Sequence, residues 1–427
     1  MAARWRLAEL GLLLFPLAFL GVGLALLRLA GQLVLVPALA QAAWGPALLF
    51  AVVVLAMHGF LVWRWPTADQ LLLPLVVTLA AVGLLMVGRL EPSLFWRQAI
   101  WIAVGALALV GVLTLLPSVD WLAAYKYTWA AAGCLLVLAT FILGVDLNGS
   151  GMRLWIGAAG VYFQPSELYK LILVIFLAAY LAEKRELIVL AGWRVGPLRL
   201  PPVPYLLPMV AVWLLALGLV VVQRDLGAAL LFFGIFLALL YVATERLGYV
   251  LAGLGAFAAG GVLAYRLFGH VQDRVAIWLD PWSRAQERGY QLVQALIALA
   301  AGGVFGSGLG YGYPEYIPAV HTDFIIAAIG EELGLLGTLG VVALYLLVVY
   351  RGFRIALRAP DPYLQLLAVG LSTVLGLQAL VILGGTTRLI PLTGVTLPFV
   401  SYGGSSLLVN FAIVGLLLRI STERPRA

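Results

Sequence analysis

The chain has 427 residues, 64% of them hydrophobic and only 11% charged, where a soluble globular chain carries roughly 25% charged residues. No soluble domain hides that much apolar surface, so the composition excludes a soluble fold and makes lipid the solvent for much of the chain. A net charge of +7 would suit nucleic acid in a soluble protein, but no basic run here is interleaved with aromatics, so no nucleic-acid binding is expected and the basic loops are read as setting membrane topology.

A helix crosses a bilayer with roughly 20 apolar residues. In chain order twelve stretches qualify, near 9–29, 41–63, 70–88, 98–116, 127–145, 165–182, 204–222, 227–244, 248–268, 324–349, 363–384 and 401–420. The runs are long, continuous and rich in Leu and Ala, which predicts an all-α, polytopic transmembrane bundle rather than barrel strands. Ala38-Leu39-Ala40 resembles a signal-peptidase site, but the preceding apolar run exceeds a usual signal core of about 7–15 residues, so it is read as a retained span. The single cysteine, Cys134, lies in an apolar run and offers neither an intramolecular disulfide nor a metal site. His58, His270 and His321 lack zinc-ligand spacing.

Lys and Arg give the orientation. With twelve spans and the N-terminus inside, one side gathers Arg4, Arg6, Arg64, Lys126, Lys184, Arg185, Arg194, Arg199, Arg246, Arg351, Arg354, Arg358, Arg419, Arg424 and Arg426, while the short loops of the other hold Arg28, Arg89, Arg97, Arg153, Arg224 and Arg388. That imbalance predicts cytoplasmic N- and C-termini. The longest inner loop, Glu183 to Val203, is too short for a domain. The chemistry is therefore sought in the outer segments.

The first of these, Asp146 to Lys170, reads DLNGSGMRLWIGAAGVYFQPSELYK. Pro165 suits the first position of a helix. Glu167 and Lys170 follow on one helix face, where charges are costly enough to need a partner or a purpose. Two readings stand: a structural pair that locks helices, or a Lys170 that presents charge to a cavity open to the outside. Arg153 can hold a diphosphate in a fork geometry. Trp155 can stack on a sugar or simply anchor at the interface. Gln223-Arg224-Asp225-Leu226-Gly227 follows as a tight turn, with Arg224 and Asp225 either solvated or at the rim of a cavity.

The segment from His270 to Phe324 predicts an interfacial helix that stops at Asp280-Pro281, between Trp278, Leu279 and Trp282, and an amphipathic helix from Gly289 to Ala301. The glycines at 302, 303, 306, 308, 310 and 312 can bring backbone N–H groups to phosphate or form a reentrant loop. They are not a dinucleotide fingerprint, since no strand precedes them. At the mouth of the next span stands Asp323, either an N-cap or a general base over an acceptor hydroxyl, with His321 close enough to share its proton. The last segment, Gly384 to Ser406, brings Arg388 together with prolines, glycines and hydroxyls at membrane depth, where irregular backbone survives only if it is buried or lines a cavity. Together these segments predict one external cavity.

The blocks QPSELYK, GGVFGSGLG, HTDFIIAAIGEELG and LPFVSYGGSS occur in the order found in the SEDS family (shape, elongation, division and sporulation proteins, RodA/FtsW/SpoVE-like), which this chain resembles from about Asp69 to the C-terminus. The resemblance divides the chain into two extra N-terminal helices, 1–68, and a ten-helix core, 69–427, with a long outer loop at 269–323. It implies a helical bundle related to the GT-C glycosyltransferases, polymerisation of the undecaprenyl-diphosphate-linked disaccharide lipid II, and a class B penicillin-binding protein, a single-span transpeptidase, as partner. The family's essential aspartate falls on Asp323. Its Arg–Trp loop and the paired Glu and Lys fall on Arg153, Trp155, Glu167 and Lys170. Two departures are plain: the family's QPDLG turn reads QRDLG here, and the run before Trp155 is stretched to Asn148-Gly149-Ser150-Gly151-Met152-Arg153.

The expected substrate-binding set is Arg153, Trp155, Gln164, Glu167, Lys170, Arg224, Asp225, His321, Arg388, Ser401 and Tyr402, with Asp323 catalytic. A divalent cation such as Mg or Mn can assist, although no carboxylate cluster demands one. The alternative, a lipid II flippase, would suit many spans with intramembrane charge. It would also call for paired broken helices in two related halves, which this sequence lacks.

Overall fold

The computed structural model describes residues 6–31, 44–146, 153–158, 160–190, 193–195, 198–200 and 203–423. Ala38-Leu39-Ala40, Arg4 and the run Asn148 to Met152 lie outside the described residues. Every predicted span coincides with a helix: Leu7–Leu29, Trp44–Arg64, Leu72–Leu90, Phe95–Leu115, Lys126–Leu143, Pro165–Leu190, Val203–Val222, Leu226–Thr244, Leu247–Leu267, Ile325–Arg358, Pro362–Thr386 and Gly404–Ile420. Among the described residues nine helices are long and apolar enough to cross a membrane, and the protein is a multi-pass membrane protein. The two helices predicted in the long loop are Gly269–Leu279 and Tyr290–Gly302. Two small antiparallel hairpins, Ile156–Ala158 with Val161–Phe163 and Trp193–Val195 with Leu198–Leu200, were not foreseen.

The chain forms two compact units. The first draws on Met1–Leu113, Asp273–Arg351 and Gln378–Thr422. Its centre is Leu72–Leu90, most of which is buried. Glycines allow close approach there: a Cβ on Gly83 would collide with the Phe399 and Val400 carbonyls, and one on Gly23 with the Leu85 side chain. Arg6 fastens the N-terminal pair of helices to this centre. Its buried guanidinium pairs with Glu9 and donates to the carbonyls of Trp65 at 3.1 Å, Ala68 at 2.7 Å and Asp69 at 2.8 Å. His58 in turn meets Glu9 at 2.7 Å. A buried charge is stable only when paired and hydrogen-bonded in this way.

The Ile325–Arg358 helix is not continuous. Gly334, at φ 68° and ψ −167°, breaks it into 325–333 and 335–358. This conformation is open to glycine and strained for other residues.

The second unit comprises Thr114–Gln272, Gly352–Leu377 and Glu423–Ala427. Pro165–Leu190 runs through its middle, with Tyr169 against Gly133 of the Lys126–Leu143 helix and Val174 against Gly370. Cys134 is buried and its sulfur lies 3.2 Å from the Tyr169 hydroxyl. Trp213 stacks on Phe236 at 4.5 Å and donates its indole N–H to the Phe232 carbonyl at 3.1 Å. The Leu247–Leu267 helix is the least covered, with Tyr249 alone buried among its residues.

Candidate functional site

The first unit holds Asp323, His321, Arg388, Ser401 and Tyr402. Asp323 lies near the end of a run of turns, and the 325–333 helix starts two residues later. Its carbonyl accepts from Thr386 Oγ1 at 3.4 Å. Next to its carboxylate lies Gly394, where a Cβ would come to 3.6 Å of Oδ2. The stretch preceding Asp323 is bound to the Ser401 loop. Ser401 donates its hydroxyl to the Thr322 carbonyl at 2.5 Å and accepts from the Leu397 N–H at 3.0 Å. The Tyr402 N–H donates to the His321 carbonyl at 2.9 Å, and the two rings meet edge to face at 6.0 Å. Ser401 is therefore a loop fastener, a role its hydroxyl alone did not announce. Burial lowers the pKa of His321, and Glu91 opposes this more weakly, so the imidazole favours its neutral form.

Arg388, predicted as a diphosphate contact, is held by backbone carbonyls. Its guanidinium donates to the carbonyls of Trp278 at 2.7 Å and of Leu279, while the Trp278 indole N–H returns a bond to the Arg388 carbonyl at 3.1 Å. It closes the C-terminal end of the Gly269–Leu279 helix, a place where cations satisfy the last carbonyls.

The glycine cluster is also committed. The N–H groups of Gly306, Gly308 and Gly310 donate to the carbonyls of Gly302 and Glu332 and to the Glu332 carboxylate. They hold the broken helix rather than offering themselves to phosphate. Arg89 belongs to the same assembly. It sits in the last turn of its helix, not in a loop, and pairs with Glu332 at 3.1 Å. The signal for this was present in the sequence as two adjacent glutamates within an apolar helix, but their partner is remote in the chain.

The second unit holds the remaining residues. Asp225 caps the Leu226–Thr244 helix by accepting from the Ala228 N–H at 2.9 Å. Its other oxygen receives Gln164 Nε2 at 3.3 Å and Ser166 Oγ at 3.5 Å, so the Gln164-Pro165-Ser166 turn and the Gln223-to-Gly227 turn are joined. Gln223 donates to the Val137 carbonyl at 3.3 Å. Lys170 is only 1% exposed, and its ammonium meets Glu167 at 2.5 Å. Arg224 is exposed, at a left-handed φ of 63°. Arg153 is exposed too, and Trp155 is half-buried, its carbonyl accepting from the Val145 N–H at 2.7 Å. A separate cavity of about 400 Å³ in this unit, lined by Lys126, Glu183, Asp361 and Tyr363 among others, contains none of the predicted site residues.

Residues 44–426 match the model of the family described as cell cycle proteins FtsW, RodA and SpoVE. This chain belongs to that family. All four blocks that carried the resemblance lie within the matched residues, and the FtsW/RodA/SpoVE match begins at Trp44, the start of the second helix. The protein is similar to the peptidoglycan glycosyltransferase RodA of Mycobacterium tuberculosis, 44% identical over 83% of this chain and 78% of the relative. It is also similar to the stage V sporulation protein E of Bacillus subtilis, 34% identical over 83% of this chain and 96% of the relative. Among solved structures, a peptidoglycan synthase complex described as coordinating polymerization and crosslinking contains a chain 31% identical, with a TM-score of 0.70 over 84% of this chain and 98% of that one. Thermus thermophilus RodA gives a TM-score of 0.61 at 28% identity over 85% of this chain and all of that one.

Proposed function

We propose that the protein is a peptidoglycan glycosyltransferase that polymerises lipid II on the outer face of the bacterial cytoplasmic membrane, both termini facing the cytoplasm. The names of its relatives support the reaction class. The observation that carries the mechanism is the held backbone beside Asp323: its neighbours Thr322 and His321 are bound through Ser401 and Tyr402, and Gly394 brings no side chain against the carboxylate.

Asp323 takes the proton from the acceptor sugar's 4-hydroxyl, and that oxygen attacks C1 of the donor. The bond from C1 to the diphosphate oxygen breaks, and the polyprenyl diphosphate leaves with the electron pair from the opposite face. One inverting displacement turns an α-linked donor into a β-linked polymer without a covalent enzyme intermediate. General-base help of this kind is typically worth about 10²–10⁴-fold. Charge gathering on the diphosphate calls for cations in a low-dielectric setting. Arg153 and Arg224 are the candidates for direct contact. Lys170, already paired with Glu167, acts by setting the local potential. A class B penicillin-binding protein fits as the crosslinking partner.

The test is lipid II polymerisation by the purified full-length protein in detergent. Asp323→Asn should abolish polymer while leaving the thermal melt unchanged; full activity in that variant removes Asp323 from the catalytic role. Lipid movement in vesicles by wild-type protein that makes no polymer would favour the flippase instead.

A further inference from the structure

Arg89, Glu331 and Glu332 lie outside the reaction just described, yet they form a buried charged group in the first unit. Glu332 is 0% exposed, and the Arg89 side chain is 8% exposed. Arg89 Nε donates to Glu332 Oε1 at 3.1 Å and its Nη2 to the Gly312 carbonyl at 3.2 Å. The other Glu332 oxygen accepts from the Gly310 N–H at 3.0 Å, and Glu331 Oε1 accepts from the Tyr313 N–H at 2.8 Å.

Backbone bonds run alongside. The N–H groups of Ser307 and Gly308 donate to the carbonyls of Glu331 and Glu332 at 2.9 Å and 3.0 Å. Beyond the break at Gly334, the N–H groups of Leu335 and Leu336 donate back to the carbonyls of Gly303 and Val304 at 2.9 Å and 3.2 Å. A Cβ on Gly306 or Gly334 would collide with backbone at this seam, so these glycines are what let the two backbones meet, and one on Gly312 would crowd the Glu331 and Glu332 side chains.

The consequence is topological. The bond from Tyr313 to Glu331 closes a loop, and Asp323 lies within it. One arm of the loop is the turn-rich stretch 314–324. The other is the rigid 325–333 helix, which begins two residues after Asp323 and ends at the seam. Along the chain both arms from Asp323 end at this seam, while the carbonyls of Asp323, Thr322 and His321 are tied separately to Thr386, Ser401 and Tyr402. A sub-ångström placement of a reacting group can be lost through changes far from the chemistry.

We propose that Arg89, Glu331 and Glu332 form a latch that positions Asp323. They are positioning residues: they act through the ends of the Asp323 loop and touch no reacting atom. The proposal rests on Asp323 being the base, and a buried ion pair is suited to it because breaking one partner is far more disruptive than weakening an exposed pair.

The experiment compares wild type with Arg89→Met, Arg89→Lys and Glu332→Gln in the full-length protein, together with any transpeptidase that copurifies. Two readouts are taken: kcat and KM for lipid II polymerisation, and the rate of chymotryptic cleavage at Tyr311, Tyr313 and Tyr316. The expected result for Arg89→Met and Glu332→Gln is a loss of kcat of roughly tenfold or more, in line with the cost of misplacing a reacting group, an unchanged KM and faster cleavage. Arg89→Lys, which keeps the charge but only one reach, should recover part of both. Faster cleavage with wild-type kcat would overturn the positioning role, as would a raised KM at full kcat. Variants too unstable to assay for turnover are read by cleavage in membranes, where a wild-type rate overturns the latch. Full activity of Asp323→Asn would instead remove the base, while the cleavage readout still reports on the latch.

Discussion

Gly394 backs onto Asp323: a Cβ on its backbone would lie 3.6 Å from the carboxylate Oδ2, and its φ is +76°. The contact distance itself is ordinary, so the conformation and the added apolar surface decide what a side chain would do there. A left-handed φ costs a non-glycine residue roughly 1–2 kcal/mol.

Gly394→Ala is therefore expected to lower polymerisation more than it lowers stability, and Gly394→Val to lower it further. The larger side chain takes up space beside the carboxylate that an acceptor hydroxyl needs. Steady-state turnover and a thermal melt on the same preparations check this, and Gly394→Val at wild-type turnover would refute it.

Ser401→Ala removes the one hydroxyl that serves both the Thr322 carbonyl and the Leu397 N–H. Leaving such buried groups unpaired costs about 1–3 kcal/mol. The melt should fall accordingly and turnover with it. Ser401→Thr, which keeps the hydroxyl, should lose less of both.

The Lys170–Glu167 pair separates structure from electrostatics. Lys170→Met leaves the partner carboxylate uncompensated, and breaking a buried pair costs about 3–5 kcal/mol. The double variant Lys170→Met with Glu167→Gln should regain most of that stability. If Lys170 helps the departing diphosphate, the double variant stays poorly active although it is stable; recovery of both makes the pair purely structural.

His321 predicts a pH dependence. Burial lowers its folded pKa below the ordinary value, which is about 6.5 in an unfolded chain. As the pH falls through that value, the unfolded state takes up a proton that the folded state resists, so stability declines on acidification from about 6.5 down to the folded pKa. Above that window the residue has no such effect. The difference in melting temperature between neutral and mildly acidic buffer should shrink in His321→Asn; an unchanged difference would assign the acid sensitivity elsewhere.

Much of this architecture is local, and so it could be read before any coordinates. A run of apolar residues long enough to span hydrocarbon must satisfy its own backbone, and the helix is the way one segment does so. Pro165 starting a helix, Asp280-Pro281 stopping one and Asp323 standing at the mouth of another are likewise decided within a few residues. The amino-acid order alone therefore determined the spans, the two helices of the long loop, the family and the candidate base.

Partnership was left to the tertiary structure. Arg89 and Glu332 are 243 positions apart, Ser401 and Thr322 are 79 apart, and Arg388 and Trp278 are 110 apart. No period or spacing announces such bonds, because a guanidinium, a hydroxyl or a glycine N–H has the same composition whether it meets a phosphate or a distant carbonyl. Burial in a low-dielectric interior requires each polar group to find a partner, and which partner depends on helices meeting face to face. That is why the sequence could read Arg388 as a phosphate contact and the glycine cluster as either a phosphate cradle or a reentrant loop, and why only the folded protein shows that the first closes a helix end and the second holds a broken helix together.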